Sequence, residues 1–410
     1  MDLLERLLVH EEWLAFFEYK KNGGHLSKRD EEDLASFICN NEYLKIAEAL
    51  NNGGLFSVPE AVSVNKSFSY KKRTVFTFSK EENYVQKILA YFLLDYDEIF
   101  FDNLYSFRKD MGVKKAVKRL VYHSGINDMY SYKLDISDYF NSVNPELLLP
   151  KLKEILDSRT YSLICGMLMN KFAYLNGELT EMKKGILAGS PLSSFFANVF
   201  LSEIDGYFYT NNILYARYSD DIIFFADSVD ELNRNKEYLL NKLSEYGLSV
   251  NENKVFLSEP NEEWTFLGFK YNNGVIDISD ISKQKLKKKM RRKARALYRW
   301  KIRKNAESDR AVKAFIKHFN RKLYDNPVNN EITWCRWYFP IINTSESLKE
   351  LDNYAQQCVR YIATGKQTKA KYNFTYEQMR ELGYKTLVNS YYSFRENKYE
   401  IKKVQKSVDN

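Results

Sequence analysis

The sequence predicts an α+β fold whose middle carries a returning antiparallel sheet and whose last third is helical. Three observations lead there. Strand-like stretches recur between residues 67 and 279, among them "SFSYKKRTVFTF", "MYSYKLDIS", "YARYSDDIIFFAD" and "WTFLGFKYNNGVIDIS". Helical periodicity separates them and takes over almost entirely after Ser282. No G-x-G-x-x-G opens a helix and no regular βαβ alternation appears, which excludes a dinucleotide-binding reading.

Residues 1 to about 60 read as helices broken at "NGG" (Asn22–Gly24) and "NNGG" (Asn51–Gly54). Residues 67–78 alternate as a strand, and helix-like segments follow to about Leu120. Met129–Ser137 alternates again. Asn144-Pro145 reads as an N-cap with Pro at the first helical position, and Ser190-Pro191 as the start of a second such helix. Tyr215–Asp227 is a strand–turn–strand signal, Asp230–Tyr246 a helix, and Asn273-Gly274 the turn of a short hairpin.

The chain has 410 residues, enough for two or three subdomains, with 28% charged and 44% hydrophobic residues. Net charge is +8, yet Lys283 to Lys304 holds thirteen Lys or Arg and no acid, so removing that block leaves about −5. Such a block suits a polyanion partner. Within it Leu286, Met290, Ala294, Leu297 and Trp300 form one apolar stripe, so one face can pack while cations around it meet phosphates. Cys39, Cys165, Cys335 and Cys358 are too scattered for a disulfide framework or a zinc site. The acidic, amphipathic N-terminus lacks the features of a signal peptide, and no apolar run is long enough to span a bilayer. The expectation is a soluble protein of a reducing compartment.

In "YARYSDDIIFFAD" two aspartates, Asp220 and Asp221, abut an apolar run that reads as a buried strand. Adjacent aspartates also suit a solvated turn. Asp135, in "KLDISDYF", sits where a core strand would carry an apolar residue, and an isolated acid there is costly. Two divalent ions roughly 4 Å apart would relieve that cost and would clamp both oxygens of a phosphoryl transfer. A buried ion pair with Lys or Arg is the competing explanation for Asp135.

At these residues the chain resembles the reverse transcriptases of the right-hand polymerase superfamily. Five blocks stand in family order: "KLDISDYFNSV", "GILAGSPLSSFFANVFL", "YSDD", "LSVNENKV" and "WTFLGF". The resemblance covers roughly residues 70 to 280. It implies fingers, a palm with an antiparallel sheet and a helical thumb. The divisions it suggests are an N-terminal helical extension (1–66), fingers (67–130), palm (131–144), a connection (145–189), the second part of the palm (190–280) and the thumb with the C-terminal region (281–410).

The resemblance further implies an RNA-directed DNA polymerase using two Mg²⁺ ions, with Mn²⁺ as a substitute. Asp135 and Asp220 match the metal-binding aspartates, Asp221 the second acid of the box, and Ile136 a backbone-carbonyl ligand. Lys254 matches a general acid for the leaving pyrophosphate, and Phe140 a steric gate against a ribose 2′-OH. Arg108 and Lys109, in competition with Lys72 and Arg73, match residues that hold the triphosphate, beside Ser190 and Pro191 of the second block. Phe266, Leu267 and Gly268 match a primer grip, and Lys287, Lys288, Arg291, Arg292 and Arg295 fall where the thumb begins to meet nucleic acid. Ahead of Ser190-Pro191 the chain has Gly185-Ile186 and no Gln-Gly, a departure from the family pattern.

Neither N-A-x-x-H nor V-T-G, the usual retron marks, occurs, and no endonuclease or ribonuclease H pattern follows the thumb. The chain is thus most similar to the stand-alone, defence-associated bacterial class. That class implies cDNA made in the cytoplasm from a structured noncoding RNA, with deoxynucleotides as substrates and no membrane. A retron- or intron-derived enzyme with another RNA, or a non-catalytic RNA-binding protein of this fold, is the alternative.

Overall fold

The structure, a computed structural model, describes residues 2–23, 26–65, 72–324, 333–366 and 368–396. Two compact units divide the chain, Met1–Leu267 and Gly268–Asn410.

The first unit opens with helices α1 (Leu3–Arg6), α2 (His10–Asn22), α3 (Lys28–Cys39) and α4 (Leu44–Asn51). Trp13, Phe16, Phe37 and Tyr43 pack as a buried aromatic cluster among them. Strands β1 (Glu60–Asn65) and β2 (Lys72–Thr77) follow, then α5 (Lys80–Phe92) and α6 (Val113–Val121). The strand expected over 67–78 is seen from Lys72; residues 67–71 lie outside the described residues.

Strand β3 (Tyr130–Asp135) leads into α7 (Tyr139–Ser142), α8 (Pro145–Ile155) and α9 (Ser158–Met169). Asn144 caps α8 through its side chain, which accepts the Glu146 amide, and Pro145 takes the first turn. A hairpin, β4 (Phe172–Leu175) and β5 (Glu178–Glu181), turns at Asn176-Gly177 and joins β1 and β2 in the order β2-β1-β4-β5.

Helices α10 (Ser193–Phe200) and α11 (Ser202–Thr210) come next. The helix expected to open at Ser190-Pro191 starts at Ser193. Ser190 Oγ accepts the Leu192 amide in a turn and donates to Gln86 Oε1 at 2.8 Å, so the pair forms an approach to the helix and not its first turn.

Strands β6 (Tyr215–Tyr218) and β7 (Asp221–Ala226), helix α12 (Val229–Glu245), β8 (Phe256–Ser258) and β9 (Trp264–Phe266) complete the unit. The central sheet is antiparallel in the order β6-β7-β3-β8. Its β7 is apolar without alternation because both faces are covered. Phe224 packs on Tyr132 and Phe208, while Phe225 meets Trp264 edge-on at 5.2 Å. Residues 222–226 are at most 1% exposed, and each large side chain there stabilises the sheet by about 1.5–3 kcal/mol.

The second unit begins with the hairpin β10 (Phe269–Asn272) and β11 (Val275–Ile278), whose Asn273 and Gly274 both take positive φ as a tight two-residue turn requires. Helices α13 (Asp280–Arg303), α14 (Ser308–Leu323) and α16 (Glu346–Thr364) pack on one another, with α15 (Trp334–Tyr338) between the last two in sequence and α17 (Tyr376–Glu381) after them. Leu286, Met290 and Ala294 are the buried face of α13, with Leu297 and Trp300 half-buried. Lys301 is also buried. Its Nζ donates to the carbonyls of Ile362 and Ala363 at 2.7 and 2.8 Å, closing the C-terminus of α16. Among the described residues no helix is long and apolar enough to cross a membrane.

Candidate active site

Antiparallel pairing sets Asp135, the last residue of β3, directly opposite Asp221, the first of β7. The two-residue turn Ser219-Asp220 joins β6 to β7 beside them. The Ile136 amide donates to the Asp220 carbonyl at 3.1 Å, and the Asn251 amide to the Asp135 carbonyl at 2.8 Å. Main-chain pairing thus brings Asp135, Ile136, Asp220 and Asp221 to one end of the sheet.

Two lysines complete the group. Lys254 Nζ lies 2.6 Å from Asp135 Oδ1. Lys133, two residues before Asp135 and so on the same face, reaches diagonally to Asp221 Oδ1 at 3.6 Å. Burial pushes the Asp220 carboxyl up to about 6, and the charges of Asp135 and Asp221 add to the shift. The Asp221 carboxyl is raised by burial too, against the pull of Lys133. Burial draws Lys254 down, but its bond to Asp135 and the other acids outweigh that, so the amine is held protonated.

The donor set suits a hard divalent cation: clustered carboxylate oxygens, one of them, Asp220, with its proton affinity raised by burial and by its acidic neighbours. Among the described residues no three His, Cys, Asp or Glu side chains converge into a ready-made metal cage, and Lys254 and Lys133 stand against two of the three carboxylates.

Behind the turn lies a buried polar network that no motif in the sequence announces. Ser219 sits at φ +60, a region costly for a residue with a Cβ. Its amide donates to Ser106 Oγ at 2.8 Å, and Ser106 in turn bonds Asn198. Arg217, wholly buried, donates from Nε to Asp205 Oδ1 at 2.8 Å, forms a second short bond from Nη2 to Oδ2, and reaches the Ser219 carbonyl at 3.4 Å. Tyr215 donates to the same Asp205 carboxylate at 2.9 Å. The one signal for it in the sequence is an arginine inside a core strand.

The half-buried Phe140 ring lies edge-on to Tyr139, just past Asp135 on α7. Gly185-Ile186 docks on its main chain. The Ile186 amide donates to the Phe140 carbonyl at 2.9 Å, and Gly185, at φ +55, leaves no room for a Cβ, which would fall 2.2 Å from that carbonyl.

Other expected residues sit apart or are already engaged. The Arg108 side chain is 4% exposed; it pairs with Asp97 through Nε at 2.9 Å and donates to the carbonyls of Phe101 and Leu104. Its guanidinium fastens its own loop, so a triphosphate would have to compete with Asp97, whereas Lys109 is exposed. Ser190 is buried against Gln86, and Pro191 lines a cavity of about 340 Å³ with Arg108, Lys20 and Lys87. Phe266 is buried and Leu267 takes φ +50 at the end of the first unit; Gly268, at φ +89, opens the second. On α13, Lys288, Arg291, Arg292 and Arg295 are exposed, while Lys287 and Lys283 both pair with Glu350. The aromatics of 334–340 and 382–394 divide: Tyr338, Phe339 and Tyr391 are core, Trp337 and Tyr392 exposed.

Residues 65–271 match the family described as Reverse transcriptase (RNA-dependent DNA polymerase). The Retron Ec86 reverse transcriptase of Escherichia coli is 21% identical over 225 residues, 52% of this chain and 66% of that protein. The Retron Ec83 reverse transcriptase of the same organism is 30% identical over 146 residues, 32% of this chain and 44% of that protein. The chain therefore spans less than two thirds of the length of either relative. Among solved structures, it is similar to apo telomerase from Candida tropicalis truncated from its C-terminal domain (15% identity, 55% of each chain, TM-score 0.43). It is also similar to telomerase from Candida albicans in complex with a fragment of telomeric RNA (13% identity, 79% of this chain and 64% of that one, TM-score 0.43).

Proposed function

We propose, from the premise that this chain belongs to the reverse transcriptase (RNA-dependent DNA polymerase) family, that it copies an RNA template into DNA at the Asp135–Asp220–Asp221 end of its central sheet. The observation that carries this reading is the pairing of Asp135 with Asp221 across two core strands, with Asp220 on the adjoining turn.

Asp135, Asp220, Asp221 and the Ile136 carbonyl would hold two Mg²⁺ ions. When bound, these ions supply charge for the attacking 3′ oxygen and the leaving pyrophosphate. The chain's residues do the rest. Ser106 and Arg217 hold the main chain of the Ser219-Asp220 turn in its strained form, which keeps Asp220 and Asp221 at this end of the sheet. Lys254, held protonated beside Asp135, would serve as the proton donor to the leaving group when Asp135 holds an ion. Phe140 fills the space a ribose 2′-OH would take and so favours deoxynucleotides. Exposed Lys109 and the cations of α13 supply charge for the triphosphate and the template.

The resemblance to the stand-alone bacterial class supports the finer reading: a structured noncoding RNA is the template and anti-phage defence the setting. The likeness to two retron enzymes favours a second reading, a retron-like RNA partner. Purified protein given Mg²⁺, a primed RNA and deoxynucleotides should make DNA, and Asp220→Ala/Asp221→Ala should make none. Synthesis that persists in the double variant would refute the site. Sequencing the RNA that co-purifies would separate the two settings.

A further inference from the structure

The second unit holds a pocket that polymerisation does not explain. It is a concavity of about 380 Å³ between α13, α16 and the turn that follows α16, within the roughly 300–1,000 Å³ of small-molecule sites. Arg291 and Arg295, one helical turn apart on α13, line one side. Tyr354 and Tyr361 of α16 line another, and Lys366 and Lys371 close the rim.

The chain is built to bring those parts together. Lys301 ties the last carbonyls of α16 to α13. Gly365 then ends α16 at φ +69 so close to Tyr298 that a Cβ would fall 2.3 Å from its hydroxyl oxygen, which delivers Lys366 directly to the rim. Arg360 lies 4.8 Å over the Tyr372 ring and donates to the Phe374 carbonyl, which anchors the Lys369–Asn373 turn carrying Lys371. No carboxylate lines the pocket, and among the described residues none lies within ion-pairing distance of these four cations. Like charges left together without a counter-charge repel. Elsewhere on the same helix, Lys283 and Lys287 do have Glu350. Cys358, also lining the pocket, has its thiol pushed up to about 12 by burial, which disfavours a thiolate there.

We infer that this pocket binds a nucleotide by a terminal phosphate, the four cations taking the phosphate and the rings of Tyr354 and Tyr361 the base. A terminal phosphate carries close to two charges at neutral pH, against one for a diester inside a strand, and so matches a closed cluster of cations better than a backbone running past. Tyrosine faces accept any base. The nucleotide is either free or the end of a nucleic acid; the chemistry is the same.

The test uses the full chain in chelator, so that metal-dependent nucleotide binding at the carboxylates is silent and the result is independent of the polymerase reading. The probes are adenosine triphosphate and a short oligoribonucleotide with either a 5′-phosphate or a 5′-hydroxyl. The phosphorylated oligonucleotide should bind about tenfold more tightly or better, and should slow amide exchange across 354–371. Lys366→Gln/Lys371→Gln should erase that preference. Lys288→Gln/Arg292→Gln, on α13 but outside the pocket, should weaken both oligonucleotides alike and keep the ratio. Protection by adenosine triphosphate as well identifies a free nucleotide as a ligand; protection by the oligonucleotide alone identifies a nucleic-acid end. No preference for the 5′-phosphate together with no protection by adenosine triphosphate, or a preference that survives Lys366→Gln/Lys371→Gln, overturns the inference. Should that double variant fold poorly, Lys366→Gln alone, at an exposed position, decides by the same ratio.

Discussion

The main-chain carbonyl of Phe140 accepts the amide of Ile186 at 2.9 Å, so the ring proposed to exclude ribose is positioned from outside its own helix. Gly185 allows the contact, at φ +55 and with no space for a Cβ. Phe140→Ala should raise ribonucleotide use relative to deoxynucleotide use by about tenfold or more. Gly185→Ala leaves the ring in place chemically but pushes its backbone away. It should cost about 1–3 kcal/mol of stability and shift the same ratio in the same direction. Single-nucleotide incorporation with paired substrates reads both. An unchanged ratio in Phe140→Ala would reject the gate, and one in Gly185→Ala would reject the clamp.

Asp220 links pH to stability. Its carboxyl is raised from 3.8 to about 6 by burial and by its acidic neighbours. An acid whose folded value lies above its unfolded one contributes stability while protonated and loses it as pH rises through the folded value. In chelator the wild type should therefore weaken between pH about 4 and about 6. Asp220→Asn, which cannot ionise, should be more stable than wild type at pH 8 by about 1–3 kcal/mol and no different below pH 4. Added Mg²⁺ should stabilise the wild type and leave the variant nearly unmoved. Urea denaturation at the two pH values checks both, and equal stability at pH 8 would mean Asp220 is not held at a cost.

Arg217 and Asp205 form a wholly buried pair whose removal strands a charge. Arg217→Ala should cost about 3–5 kcal/mol, and Asp205→Leu/Arg217→Met much less. If the pair also holds the turn, the folded double variant should lose turnover with little change in nucleotide KM, because Ser219 no longer has Arg217 at its carbonyl. Full turnover in that variant would confine the pair to stability.

These residues show what the sequence could and could not convey. The apolar run of β7, the Asn144-Pro145 cap and the Asn273-Gly274 turn were legible because local chemistry alone dictates them. The three acids were legible because carboxylates inside core patterns demand an explanation. Strands β1, β4 and β5 were not, since all three are largely exposed and β4 and β5 have only four residues each. Arg217 and Asp205 stand twelve residues apart; an arginine inside a core strand asks for a partner, but nothing around Asp205 names it as that partner. Whether Arg108 or Lys287 is free depends on Asp97 and Glu350, which no pattern around either cation reveals.

The basic helix α13 separates into two sets of cations, and they should behave differently. Lys288, Arg291, Arg292 and Arg295 are four of its exposed cations, whereas Lys283 and Lys287 are held by Glu350 and Lys301 closes α16. Changing the exposed four to Gln should weaken RNA binding and flatten the plot of log affinity against log salt by roughly 0.7–0.9 for each phosphate left without its cation. Lys301→Met should leave that slope alone and lower the melting temperature, because the buried Ile362 carbonyl loses its donor and the Ala363 carbonyl keeps only Ser308 Oγ. Lys283→Gln/Lys287→Gln should likewise keep the slope, since those charges already have a partner. A slope that falls as far for the paired lysines as for the exposed four would show that RNA displaces Glu350, and would assign the whole helix to the nucleic-acid face.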